Sequence, residues 1–352
     1  MNCLCAKKSF LSAVSAICLV GCAEQNDSIA FRFTEADFEN TVVLNAEHNF
    51  PGIDIGLVSK MCWHPDGLVL LGDMTKGKML RVVDVESREL RQTLLTRGRA
   101  DNELFGISDI SMARGEVVVS SMTENKILRL GFIDSLYVTA SLTTERQFNN
   151  AIPYGGGYLT VASAPSYNRM EVLDDAGTVI DTIGSFPDLG FDAEAYNNAL
   201  FQSNLAVSPD DRHIVLTCNS VDFIDIYGKD GNLSVRLHGP DHKLPGYKSR
   251  SFGMGVVYAF DPNKHSYSGI TATDSGFYVG RLGVDLRTEE DLLKGISAIY
   301  FFSWSGEPET RYVLDEELTT FAVDEKNGII YGVTNSDGIR EPELVSFAMP
   351  HD

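Results

Sequence analysis

Basic residues are scarce in this chain: 29 Lys and Arg stand against 49 Asp and Glu among 352 residues, a formal net charge of −20. A surface of that sign repels phosphate backbones and anionic headgroups, so no nucleic-acid partner is expected. Apolar runs long enough to span a bilayer are lacking, Phe10–Val20 being too short. Cysteine is sparse and poorly placed for a disulfide framework: of six, Cys3, Cys5, Cys18 and Cys22 fall in the first 22 residues. Nucleophile signatures are missing, with neither G-x-S-x-G nor S-x-x-K present. The seven histidines, His48, His64, His213, His238, His242, His265 and His351, show no H-x-H or H-E-x-x-H spacing. Gly239-Pro240 also forbids the helix that would bring His238 and His242 to one face. The sequence therefore assigns no catalytic residue, no metal ligand and no cofactor.

What is present begins with an address. Lys7-Lys8 form a positive region ahead of the apolar stretch, as in an export signal. The stretch ends in Leu19-Val20-Gly21-Cys22, which resembles the bacterial lipoprotein signature. That resemblance implies a signal peptide over 1–21, acylation of Cys22, and a polar tether over 22–36. Acyl chains contribute roughly 0.8 kcal/mol per buried CH₂, enough to hold a domain on a bilayer without a transmembrane helix. The expected location is the outer membrane, with the leaflet left open, and the expected membrane contact is the anchor alone. Removing 1–21 removes Lys7, Lys8 and no acid, so the mature chain is still more acidic.

Beyond the tether one phrase recurs. At Ser203–Cys218 it reads SNLAVSPDDRHIVLTC. Alternating residues, a Pro-Asp-Asp turn and a second apolar run spell a β-hairpin. Similar phrases start at Ser59, Ser108, Asn150, Ser268 and Thr319, each followed by two further strand-like segments except the last, which stops one strand short. Six units of four strands predict an all-β, six-bladed β-propeller over 37–352. The unpaired strand at Thr41–Asn45 is the predicted completion of the last blade, closing the ring and leaving no exposed edge. Cys62 and Cys218 fall in opposite units of such a ring, so both are expected as buried free thiols.

Aligning the units predicts two rings along the central channel. Ser59, Ser108, Asn150, Ser203, Ser268 and Thr319 open the innermost strands, and Lys60, Asp109, Ala151, Asn204, Gly269 and Thr320 follow one position on. Of these, Ser59, Lys60, Ser108, Asp109, Asn150, Ser203, Asn204, Ser268 and Thr319 are the channel-lining candidates. Glu103, Asp109 and Asn204 with His64 are the oxygen and nitrogen donors that a hard cation in the channel would draw on. Long excursions at 184–202 and 239–267 put aromatic and polar residues on one face, where Tyr196, Tyr247, Arg250 and Phe252 are the partner-face candidates.

The turns SPDD and DEKNG, the inter-strand segments IYGKDG and FSWSGEP, and the stretch RGRADNELFG resemble those of the TolB-like and NHL-like six-bladed propellers found among Bacteroidetes lipoproteins. The resemblance runs from about Thr41 to Pro350 and carries fold more than function. Its relatives include a protein-docking component of the envelope and enzymes such as lactonases. Two functions follow as expectations: a monomeric, non-enzymatic module binding an envelope protein or glycan, or a lactonase-like or lyase-like enzyme with a divalent cation in the channel. Cys22→Ser should move the protein from the membrane pellet to the soluble fraction; retention in the pellet contradicts the lipid anchor.

Overall fold

In the computed structural model, residues 29–75, 77–162, 168–187, 200–241, 247–252, 255–260, 264–285, 294–335 and 340–350 are described. The proposed signal, Cys22 and most of the tether lie outside them. Among the described residues, no helix is long and apolar enough to cross a membrane.

Local sequence makes the strands. β1 (Ala30–Arg32) and β2 (Asn40–Leu44) flank a single 3₁₀ turn and precede four antiparallel strands, β3 (Val58–His64), β4 (Leu68–Asp73), β5 (Lys78–Asp84) and β6 (Glu89–Thr96). The pattern repeats in β7 (Asp109–Ala113), β8 (Glu116–Ser121), β9 (Lys126–Phe132) and β10 (Leu136–Thr143), and again in β11 (Phe148–Tyr154), β12 (Gly157–Ala162), β13 (Asn168–Leu173) and β14 (Val179–Ser185). A fourth sheet holds β15 (Ser203–Val207), β16 (His213–Cys218), β17 (Phe223–Gly228) and β18 (Leu233–His238), with β1 added in parallel to β18. β19 (Tyr247–Phe252) and β20 (Gly255–Phe260) form a separate two-stranded ribbon. The remaining strands, β21 (Lys264–Ala272), β22 (Gly276–Asp285), β23 (Ile296–Ser303), β24 (Pro308–Asp324), β25 (Ile329–Thr334) and β26 (Leu344–Ala348), join β2 in one seven-stranded sheet.

The chain is all-β and forms a β-propeller, but the expectation of six separate blades needs correcting. Four sheets stand alone, whereas the last two units share the 17-residue strand β24. Its first half pairs with β23 and its second with β25. No Gly or Pro interrupts Glu309–Asp324, so nothing in the sequence stops the strand where the units meet.

Within each separate sheet the fourth strand is less buried than the three inside it. β4, a second strand, is buried at every position, while the outermost, β10 and β14, are mostly exposed. A second strand has sheets against both its faces, which is why LVLLGD reads as a continuous run rather than an alternation. The core is a series of layers between neighbouring sheets: Leu70 and Val82 meet Val119 and Leu128, Leu159 and Met170 meet Leu205 and Leu216, and Val69, Leu71 and Val83 meet Ala322, Tyr331 and Val333. Fully burying one such side chain contributes about 1.5–3 kcal/mol.

The N-terminal strand does not complete the last unit. β2 pairs in parallel with the first half of β24, Thr41 beside Arg311 and Leu44 beside Leu314. With β1 on β18, the N-terminal segment staples the fourth sheet to the seven-stranded one. Phe33 and Phe38 fill the seam against Tyr300 and Phe302, with Phe38 4.7 Å from the Tyr300 ring and Phe33 5.1 Å from that of Phe302. The chain then reaches the free edge of β26 through one antiparallel bridge, Glu47 with Ser346. Ala46 N donates to Asp315 Oδ1 at 2.9 Å. His48 sits between Glu343, Nδ1 to Oε2 2.8 Å, and Glu316, Nε2 to Oε1 3.4 Å, while Arg340 lies 3.7 Å from the same Glu316 oxygen.

Phe38→Ala should cost about 3 kcal/mol in urea denaturation, the usual toll of an emptied aromatic site. The hydrogen bond to Glu343, reinforced by Glu316, holds the His48 pKa above its ordinary 6.5. The folded chain thus binds that proton more tightly than the unfolded chain, and the stabilisation is full below pH 6.5 and lost as pH rises through the raised value. His48→Gln should lower the melting temperature at pH 5.5 and have little effect at pH 8.5; the pair is solvent-exposed, so the difference is at most about 1 kcal/mol.

Candidate functional site

The inner strands β3, β7, β11, β15, β21 and β24 pack successively against one another, and β24 packs against β3. Between them lies a cavity of about 410 Å³. Residues of all six strands line it, starting at Lys60, Asp109, Asn150, Asn204, Gly269 and Thr320 and running to the turns at Pro65, Gly115 and Pro209. No residue N-terminal to these six starting positions on its own inner strand lines the cavity.

The residues that open the strands lie mostly outside this lining. Ser59, Ser108, Ser203, Ser268 and Thr319 are not among the lining residues. Ser59 Oγ faces the carbonyls of Gly72 and Ile107, and Ser108 Oγ accepts from Met122 N. Ser203 Oγ donates to Phe201 O and accepts from Arg169, and Thr319 Oγ1 faces Asn335 Oδ1. These hydroxyls contact neighbouring groups at the strand mouths, and the cavity begins one residue further along each of these strands. The third unit is offset: Asn150 lines the cavity and Ala151 does not. Asn150 directly follows a bulge, as Lys60 and Thr320 do, and so stands level with them and not with Ser59 and Thr319. Similar irregularities lie just before Lys60, Ile270 and Thr320.

One end of the cavity carries a polar network. Lys60 Nζ donates to Asn204 Oδ1 at 3.2 Å and lies 3.9 Å from Asp109 Oδ1. Asn204 is oriented by its own donation to Asn219 Oδ1 at 2.8 Å. Burial raises the Asp109 pKa, opposed by the Lys60 charge and by a hydrogen bond from Asn150. Burial, with Asp109 adding to it, pushes the Cys62 thiol on the wall up to about 12, which favours its protonated form. Cys62 is partly exposed there, whereas Cys218 is buried, and both are free thiols. Gly269 adds no side chain and adopts φ +78, with any Cβ meeting the Phe321 ring at 3.1 Å. At the opposite end Arg114, on a turn in the second sheet, pairs with Asp211, on a turn in the fourth. Both adopt left-handed backbone, φ 54 and 57, a conformation few non-glycine residues take. Residue types alone gave no signal for that pair or for Asn219.

The proposed cation donors are not assembled. Glu103 accepts from Ala100 N and Thr96 on an outer loop, and His64 lies at the far end of β3 beside Asp66. The Lys60 ammonium occupies the space between Asp109 and Asn204, where a divalent cation would need oxygen donors instead. Among the described residues no group of three or more His, Cys, Asp or Glu could hold a metal ion. Tyr196 lies outside the described residues; Tyr247, Arg250 and Phe252 lie on β19 of the separate ribbon.

No family model and no curated protein matches the chain. Solved structures are similar in shape. A member of the DUF4221 family from Bacteroides vulgatus is 11% identical with a TM-score of 0.59, covering 87% of this chain and 97% of that one. A protein from Bacteroides fragilis named as exported is 9% identical with a TM-score of 0.52, covering 91% and 98%. A streptogramin B lyase is 12% identical with a TM-score of 0.51, covering 87% and 98%. Likeness at these identities shows a β-propeller fold and neither the TolB-like nor the NHL-like family in particular.

Lys60→Met should cost about 1–3 kcal/mol by leaving Asp109 buried without its cation. A carboxyl whose folded pKa is raised above the unfolded 3.8 loses stability as pH rises through that range, so the deficit should be larger at pH 7 than at pH 4. Adding Asp109→Asn should recover most of it, as read by urea denaturation.

Proposed function

We propose that this protein is a lipid-anchored binding propeller of the cell envelope, non-enzymatic, whose ligand site is the central cavity. The observation that carries this reading is the cavity itself: about 410 Å³, apolar along its length, with convergent polar groups at one end. Small-molecule sites have that size and that division between apolar wall and a few orienting groups. In this reading the seven-stranded sheet serves as two units of a six-unit ring; packing of β24 against β3 supports it. Tyr247, Arg250 and Phe252, on the strand β19, are the proposed contacts for an envelope protein or glycan, on the strength of their residue types.

Anchoring rests on the resemblance at Leu19–Cys22 and an outer-membrane location on the same signature. The test is native mass spectrometry of the full chain extracted from its own membranes. A co-purifying small molecule, lost on Thr271→Trp with the melting temperature retained, is the expected result. A ligand that persists when the cavity is filled in this way contradicts the assignment.

A further inference from the structure

The lining of the cavity ends at the level of Lys60, Asp109, Asn150, Asn204 and Thr320, where the Lys60 side chain reaches from β3 to Asn204 on β15. Lining runs from Lys60 to Pro65 along one strand, so the cavity is about 16 Å deep at 3.3 Å per residue. A ligand lying along it sets its head against this polar floor.

The floor mixes signs and roles. Lys60 brings an ammonium and Asn150 and Asn204 bring amides, while Asp109 and Thr320 supply acceptor oxygens. A carboxylate head would face Asp109, a like charge in a desolvated site, and an ammonium head would face Lys60. A neutral head with several hydroxyls gives each floor group a partner of the opposite kind. Gly269 lets the Phe321 ring close down on one sector of the floor, where any Cβ would meet it at 3.1 Å, and an aromatic face suits the C–H face of a ring better than a linear chain. Above it, Ile110, Ile152, Ile270 and Phe321 line an apolar wall that suits a hydrocarbon substituent.

We propose, building on the cavity reading above, that the ligand is a neutral polyhydroxylated ring carrying an apolar substituent: a glycoside of an apolar alcohol, ring on the Lys60–Asn204 floor and substituent along the wall. Lys60 and Asn204 then act as the groups that select the head, and the wall sets affinity for the tail.

The test is calorimetric titration of the full-length protein in lipid nanodiscs with probes sharing one phenyl tail: phenyl β-glucoside, phenyl β-galactoside, phenyl α-mannoside, phenylacetate and benzylamine. At least one glycoside should bind at a single site, more tightly than both charged probes. Asn204→Leu should weaken it at least tenfold. Thr320→Val, which leaves the Lys60–Asp109 pair intact, should weaken it severalfold with an unchanged melting temperature. Tighter binding of phenylacetate or benzylamine overturns the neutral-ring assignment while leaving the cavity as the site. Failure of all five probes to bind overturns the cavity reading with it, as does glycoside binding untouched by both substitutions.

Discussion

A twisted sheet with two apolar faces is stable only between two others. Leu68–Leu71, each essentially sealed from solvent, illustrate the constraint: no single neighbour could cover them. Satisfying it for every sheet in turn bends the stack around an axis, and the inner strands come to face one another across that axis. The cavity is a by-product of that geometry, and what distinguishes this chain is how the ends are finished. At one end a lysine spans the gap and is held by an asparagine that is itself held by a second. At the other an arginine and an aspartate from alternate sheets meet on strained turns.

Charge is used differently where sheets meet further out. Asp225 is almost completely buried and takes Arg169 at 2.9 Å and Arg236 at 2.7 Å, with Arg169 also stacked over Phe201. Arg281 does similar duty between Asp222 and Asp241. Buried pairs of this kind contribute little net stability, but an unpaired member would be costly, so they penalise mismatched packing between one sheet and the next.

Much of the architecture could be read from the chain. The hairpin phrase, its spacing and the continuous apolar second strands all announce themselves, because period and turn chemistry are local. The merging of the last two units was not legible as an event, though its cause was: Asp315-Glu316-Glu317 looks like a loop by polarity yet contains no residue that stops a strand. The N-terminal strand was legible as a strand but not by partner, since pairing depends on which edge lies within reach of residues 30–44. Placing Lys60, Asp109 and Asn204 on one level needed only the repeat register. Asn150 also stands on that level, although the repeat register had put it one position earlier and Ala151 in its place, because the bulge that fixes the register is invisible in residue types. The hydroxyls that open the strands misled because small polar residues suit both a wet channel and a backbone contact.

The continuity of β24 makes two units inseparable in a mechanical sense. Its seventeen residues carry hydrogen bonds to β23 on one half and β25 on the other, and β2 lies along its first half. Opening either unit strains the backbone that holds the other, so the two should melt and exchange their amides as one cooperative block. The units of the propeller are then not equals: two of them are tied together by one strand and fastened by the N-terminal staple.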